Sequence, residues 1–250
     1  MNKKAQMTMF VIIGILIVST LLFLIFLRGN LTFISRGGSL DEELIAINQH
    51  ISSCLHDISE QEIIAIGKQG GYLKTLEGSF RFYNDTTIGY LCYNMESSDK
   101  CRTRLLLKSD MEDSLNEATS ILLSSCINLD EFSSNQYIIT PEKEWKVATN
   151  IGDNSVLVNL DYQIKITSKA TGETRTNDRY SVTHSFPLGS LYNVANRIIS
   201  EEAAIGEFDP LPYMLQNRQY KIIKLKPYPD KIYVINKITS PYIFQFAIQG

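Results

Sequence analysis

The chain from Ala5 to Leu27 is uncharged and mostly hydrophobic, broken mainly by Gly14, Ser19 and Thr20. Lys3 and Lys4 precede this stretch, and Arg28 ends it. A helix of this length is about 35 Å long, which matches the hydrocarbon core of a bilayer. The pattern therefore predicts a transmembrane helix rather than a buried helix of a soluble domain. It also predicts a lipid bilayer as the partner of residues 5–27.

The charges beside this stretch predict its orientation. Lys3, Lys4 and the amino terminus outweigh Arg28, and the more positive flank of a span stays in the cytoplasm. The apolar run is longer than the core of a cleaved secretory signal, and it leads into residues 28–31 rather than into a small-x-small cleavage site. We expect a single-pass membrane protein with a cytoplasmic N-terminus and an extracytoplasmic domain.

Two later stretches have the three- and four-residue spacing of amphipathic helices. The first extends from Leu40 to about Ile66, and the second extends from near Asp110 to Cys126. Acidic residues occupy the first turn of each, where they complement the positive end of the helix dipole. Their apolar stripes predict that the two helices pack together.

From Pro141 onwards the pattern is typical of β-strands. Residues 156–167 alternate between apolar and polar side chains, and a turn at residues 170–172 leads into a second alternating run that ends at Phe186. Residues 188–204 return to helical spacing. Three closing strands are predicted at residues 220–225, 231–238 and 242–248.

Helices and strands that come in blocks, without a regular βαβ repeat, indicate an α+β fold. We predict an N-terminal transmembrane helix followed by amphipathic helices packed on a mainly antiparallel β-sheet. The expected division is an anchor at residues 1–28, a linker at 29–39, a helix-rich subdomain with a small β-hairpin at 40–135, and a β-rich subdomain with one or two helices at 136–250.

The four cysteines are Cys54, Cys92, Cys101 and Cys126, and none has the C-x-x-C spacing of a metal or redox site. Outside the reducing cytosol two disulfides are reasonable. Cys92 with Cys101 closes a short loop between strand-like segments, while Cys54 and Cys126 both fall near the ends of the amphipathic helices. The alternative is that all four are reduced, buried thiols.

Local motifs for chemistry are absent from the sequence. The three histidines, His50, His56 and His184, lack the spacing of a zinc-peptidase helix, and no phosphate-binding glycine loop occurs. We therefore assign no catalytic, cofactor-binding or metal-ligating residue and expect no cofactor. A net charge of −3 without a basic patch argues against nucleic acid as a partner. Asn30 and Asn84 begin glycosylation sequons and are candidate modification sites.

Residues 3–15, KKAQMTMFVIIGI, resemble the start of archaeal type IV pilin-like proteins and of singly anchored archaeal envelope proteins. The resemblance covers about the first 27 residues. It implies cleavage after Ala5, which leaves Gln6 as the mature N-terminus with the hydrophobic helix attached. Many type IV pilins carry a glutamate at the fifth mature position, where this chain has Phe10.

These patterns favour a non-enzymatic envelope or surface protein that is anchored in the membrane and contacts other proteins or copies of itself. A pilin-like subunit is one form of this hypothesis. The alternative is an anchored extracytoplasmic enzyme or solute-binding module whose site combines residues distant in sequence, because such a site leaves no local motif.

Overall fold

The computed structural model describes Ser19 and residues 39–74, 78–94 and 101–250. Its helices are α1 (Leu40–Lys68), α2 (Lys108–Cys126), α3 (Leu188–Ile205) and α4 (Pro210–Gln216). Its strands are β1 (Phe80–Tyr83), β2 (Thr86–Tyr93), β3 (Arg102–Thr103), β4 (Tyr137–Pro141), β5 (Lys146–Ile151), β6 (Val156–Ser168), β7 (Thr174–His184), β8 (Tyr220–Leu225), β9 (Lys231–Lys237) and β10 (Ile243–Ile248). The fold of the described residues is α+β.

Helix α1 begins and ends at residues that satisfy its backbone. Ser39 Oγ accepts a hydrogen bond from the Glu42 N–H, and the Glu42 carboxylate accepts one from the Ser39 N–H, which together form a capping box. Gly70 and Gly71 follow the helix with φ of +75° and +94°, a region that glycine enters without strain. The amphipathic helix predicted over residues 40–66 is confirmed.

Six strands form one sheet in the order β1-β2-β10-β9-β8. The short strand β3 pairs with the end of β2, on the edge opposite β10. All neighbours are antiparallel except β10 and β2, which run parallel. The C-terminal strand β10 therefore lies between β2 and β9. The predicted closing strands correspond to β8, β9 and β10, and β10 also pairs in parallel with β2 from the N-terminal half of the chain.

A second, antiparallel sheet is built around β6. Strand β7 pairs along one side of β6, while β4 and β5 lie end to end along the other side. The alternation predicted over residues 156–167 is confirmed, because every second side chain of β6 from Val156 to Ile166 is buried.

Helix α1 connects the two sheets. It packs on β6 and β7 of the second sheet and on β10 of the first, and α3 packs on β2, β9 and β10. Most buried apolar residues of both sheets and of helices α1, α2 and α3 belong to one continuous hydrophobic cluster, while Ile88, Ile232 and Ala247 form a small separate one.

Helix α2 covers the free edge of β5 with polar side chains. Glu112 Oε1 accepts a hydrogen bond of 2.7 Å from the Ile151 N–H, and Asn116 Oδ1 accepts one of 2.7 Å from the Thr149 N–H. Because the two acceptors are four residues apart on the helix, they lie on one face and meet alternate N–H groups of the strand. The helix thus takes the place of a neighbouring strand at an edge that would otherwise be open.

The expected fold is wrong on two points. None of the helices in the described residues is long and apolar enough to cross a membrane, and of the predicted span at residues 5–27 only Ser19 is described. In addition, the helices pack on two sheets rather than on one mainly antiparallel sheet, and the six-stranded sheet is mixed. Parallel pairing joins segments that are distant in sequence and leaves no local turn signal, so the sequence pattern does not predict it.

Candidate functional site

All four cysteines form disulfides. Cys54 of α1 bonds to Cys126 at the end of α2, with the two Cα atoms 5.8 Å apart, and Cys92 of β2 bonds to Cys101 just before β3, with the Cα atoms 5.3 Å apart. These are the two pairings that the sequence favours. No free cysteine remains among the described residues, which include all four, so the alternative of reduced thiols does not describe this structure.

The predicted glycosylation site at Asn84 lies in an exposed turn between β1 and β2. Asn84 and Asp85 have φ of +48° and +59°, the left-handed conformation that a two-residue hairpin turn requires. Both residues are exposed. Glycosylation itself stays a prediction. Asn30 and the expected cleavage site at Ala5 and Gln6 lie outside the described residues.

The closest approach to catalytic geometry is a serine and a histidine between α1 and β7. Ser59 Oγ lies 2.8 Å from His184 Nε2, and both side chains are buried. The Ser59 hydroxyl lies within donating distance of the Leu55 carbonyl at 2.5 Å and of the His56 carbonyl at 3.2 Å, and when it donates to either of them His184 Nε2 donates to Ser59. A base that activates a serine must accept that proton. The pair therefore joins the helix to the strand instead of forming a nucleophile.

Burial lowers the pKa of His184, and the neighbouring His56 ring, 4.8 Å away between centroids, lowers the pKa further against the opposing effect of Glu60. A histidine whose folded pKa is depressed binds protons more weakly in the folded state than in the unfolded chain. We expect the free energy of unfolding to fall as the pH drops from 7.5 to 5.5, through the unfolded histidine value of about 6.5. Urea denaturation at both pH values measures this loss.

The variant His184→Gln should lose this part of the pH dependence, since glutamine cannot titrate. The matched change His50→Gln, at a partly exposed position of helix α1, should keep it. An identical pH dependence in wild type and His184→Gln would show that other groups cause it.

A buried polar cluster surrounds Glu202 of α3, which is 1% exposed. Glu202 Oε2 accepts a 2.6 Å hydrogen bond from Lys231 Nζ, and Lys224 Nζ lies 3.3 Å from Oε1. Oε1 also accepts from the Tyr233 hydroxyl and, at 3.1 Å, from the Phe208 N–H. Four donors thus surround one carboxylate and fix the β8–β9 hairpin to α3.

Glu207 closes the outer side of this cluster. Lys224, Lys226 and Lys231 reach its carboxylate at 2.6, 2.9 and 3.2 Å. The hydrogen bond from Lys224 lowers the pKa of Glu207 to about 2 against the effect of burial, with further lowering by the other two lysines. Burial, followed by the hydrogen bond to Glu202, raises the pKa of Tyr233. The carboxylates of Glu202 and Glu207 are thus paired with lysines of the β8–β9 hairpin.

Asp230, in the β8–β9 turn, forms a smaller cluster with the β1–β2 hairpin. Its buried carboxylate accepts hydrogen bonds from the Arg81 guanidinium and, at 2.7 Å, from the Tyr90 hydroxyl. Burial and the hydrogen bond to Asp230 raise the pKa of Tyr90 to about 12. The three side chains tie the two hairpins together.

A cleft lies between the segment after α1 and helix α2, lined by residues that include Tyr72, Lys74 and Glu117. Its volume of about 100 Å³ is below the several hundred Å³ of a typical small-molecule site. No group of three or more His, Cys, Asp or Glu side chains in the described residues is placed to hold a metal ion.

Sequence reasoning did not find the buried charges. Glu202 lies in a helical stretch with other charged residues, where solvent exposure is the common outcome. The one available signal is the alternation of faces along β8. Lys224 lies on the same face of the strand as the buried Ile222, whereas the exposed Lys221 lies on the opposite face.

Comparison of the chain with protein-family models, with curated proteins and with solved structures finds no match.

Proposed function

We propose that this chain is an extracytoplasmic envelope or surface protein whose domain makes protein contacts rather than catalysing a reaction. The observation that carries the proposal is the use of all four cysteines in two disulfides. Disulfides persist in oxidising compartments and are rare in the cytosol, where thiols are kept reduced. We place the N-terminus in the cytoplasm and the described domain outside.

The polar chemistry of the domain supports a role in protein contacts. Glu202 is surrounded by its own donors, the Ser59 hydroxyl donates to a backbone carbonyl, and the cleft beside α2 is small. Large apolar side chains are instead exposed on several elements, and burying them in a contact with another protein is favourable. These exposed residues include Ile121, Leu215 and Ile238.

More specifically, we propose that the chain is a pilin-like subunit of an archaeal envelope, with Gln6 as its mature N-terminus. Support for this form comes from the resemblance of residues 3–15 alone. Mass spectrometry of the native N-terminus tests it, and a first residue other than Gln6 would contradict it.

The location is tested on intact cells that produce the full chain, with a thiol reagent that cannot cross membranes. We expect labelling only after an impermeant reductant has opened the disulfides, because half-buried Cys101 and Cys126 then become reactive from outside. Mass spectrometry of the recovered chain counts the labels. The variant Cys92→Ser/Cys101→Ser is the matched control and should lose only the labels of the removed pair.

Labelling that needs no reductant but requires lysis of the cells would place reduced cysteines in the cytosol and overturn the proposal. Labelling of intact cells without reductant would show an outer domain whose cysteines are free, which also contradicts it.

A further inference from the structure

Polar side chains join helix α1 to strand β7 at two separate places. Near the start of α1, Arg175 pairs with Asp41 at 3.0 Å, and the Tyr180 hydroxyl donates to Asn48 Oδ1 at 3.1 Å. Side chains of these four types ordinarily keep their charge between pH 5.5 and 7.5. Mild acid therefore leaves this end of the contact unchanged.

The second place lies about three turns further along α1, where two histidines meet. His184, at the end of β7, is buried and lies 2.8 Å from the Ser59 hydroxyl of α1. The ring of His56 lies 4.8 Å from the His184 ring between centroids, and its side chain is 49% exposed. We call His56, Ser59 and His184 the histidine contact. It brings a histidine that faces water against one that does not.

The charged groups on the helix side of the histidine contact are two carboxylates. Asp57 and Glu60 lie 3.3 and 3.9 Å from His56 Nδ1. Burial and then the His56 ring lower the pKa of His184, and Glu60 opposes them. The closed contact therefore disfavours a charge on His184 despite the nearby carboxylate.

The other elements that pack on His184 present apolar or aromatic side chains. Val156 of β6 is its partner in the strand register, and the ring of Phe186 stacks on it at 5.9 Å. Phe186 also stacks on Tyr242 at 4.9 Å, and the Tyr242 hydroxyl donates to the Ile63 carbonyl of α1. Burial raises the pKa of Tyr242, so its hydroxyl stays neutral. A row of rings thus leads from His184 in the second sheet to the segment before β10 in the first.

We propose that the histidine contact is an acid-operated switch, which opens the end of β7 from α1 while the rest of the domain stays folded. Histidine is the side chain that gains a charge in mild acid. Two charged rings in contact repel each other, and the buried site offers His184 little water to solvate a charge.

The direction of the pH effect follows from proton uptake. In the opened state His184 meets water and binds protons near the ordinary histidine pKa of about 6.5, whereas in the closed state it binds them more weakly. The closed contact therefore keeps its full stability above that pH and loses stability as the pH falls below it. One proton taken up on opening changes the equilibrium by up to about tenfold per pH unit.

The opening stays local because other bonds hold the neighbouring elements. Asn48 and Arg175 keep the first half of β7 on α1, and the disulfide of Cys54 holds α1 to α2. Movement of His184 and Phe186 away from α1 loosens the stacking between the two sheets. The inference goes beyond the proposed function, since it gives the domain a response to acidity whatever protein it contacts.

The test measures amide hydrogen exchange of the full chain in neutral detergent at pH 5.5 and 7.5, with each rate corrected for the chemical effect of pH on exchange. Peptides that cover residues 181–187 should lose protection by about five- to tenfold at pH 5.5. Peptides that cover residues 41–48 and 231–237 should keep their protection. The circular dichroism spectrum should be the same at both pH values.

Single substitutions separate the switch from general sensitivity to acid. His184→Gln should abolish the loss of protection, and His56→Gln should reduce it because His184 no longer faces a second cation. Glu60→Gln should enlarge the loss, since Glu60 favours the charged form of His184. The matched control is His50→Gln, whose ring contacts Phe132 instead, and it should respond like wild type. Because His56 and Glu60 face water, their variants test the inference even if His184→Gln disturbs the packing.

Equal loss of protection in all peptides at pH 5.5 would show general destabilisation and overturn the inference. A wild-type chain that keeps full protection of residues 181–187 at both pH values also overturns it, and so does a loss that persists in His184→Gln. None of these outcomes changes the thiol-labelling result, so the location of the domain is judged separately.

Discussion

Replacing Glu202 with glutamine is expected to lower the free energy of unfolding by about 3 kcal/mol or more. Glutamine nearly keeps the volume of the side chain but removes the negative charge that faces Lys224 and Lys231. Lys224 has a side chain that is 8% exposed, so water cannot replace the lost partner. Urea denaturation of wild type and variant, monitored by circular dichroism, measures the difference.

The matched change is Glu207→Gln, which removes a carboxylate from the same lysines at a position that is 51% exposed. There water screens the remaining charges, and we expect a loss of about 1 kcal/mol or less. Equal losses in the two variants would mean that burial of Glu202 does not determine its contribution.

Removal of the disulfide between helices α1 and α2 is expected to be the other severe change. The variant Cys54→Ser/Cys126→Ser should lose about 4 kcal/mol of unfolding free energy, because this bond closes a loop of 72 residues and strongly restricts the unfolded chain. The bond between Cys92 and Cys101 spans 9 residues, and its removal should cost about 2.5 kcal/mol. Denaturation without reductant measures both.

Wild type treated with reductant provides the control, since it should unfold at the denaturant concentration of a variant that lacks all four cysteines. If the short-loop variant proved to be the less stable of the two, restriction of the unfolded chain would not account for the stabilisation.

The parts of the fold that could be predicted are those in which burial follows local periodicity. Val156, Val158 and Leu160 alternate with polar neighbours, and this period of two is enough to identify β6. Ile47, Ile51 and Cys54 have the spacing of a helix, and all three are buried in α1. The pairing of Cys54 with Cys126 could also be predicted, because both cysteines lie near the ends of amphipathic helices whose apolar faces are expected to pack together.

The remaining parts depend on contacts between distant segments. The free edge of strand β5 is covered by Glu112 and Asn116, and their role as hydrogen-bond acceptors cannot be read from a helical pattern. Helix α4 has seven residues, too few for a clear period. The Glu202 cluster combines α3 with β8 and β9, so its charge pairing exists only after these elements have packed.

Because β10 lies inside its sheet, the six-stranded sheet cannot form until β10 has been synthesised. β10 pairs with β2 on one side and β9 on the other, and the Asn94 N–H donates to the Gln249 side chain across 155 residues of sequence. The interior of the sheet therefore stays open until residue 248 has left the ribosome. Closing so long a loop costs entropy before the strand contacts form, which makes folding slow. Until β10 has been synthesised, the apolar side chains of β2 and β9 lack the strand that lies between them.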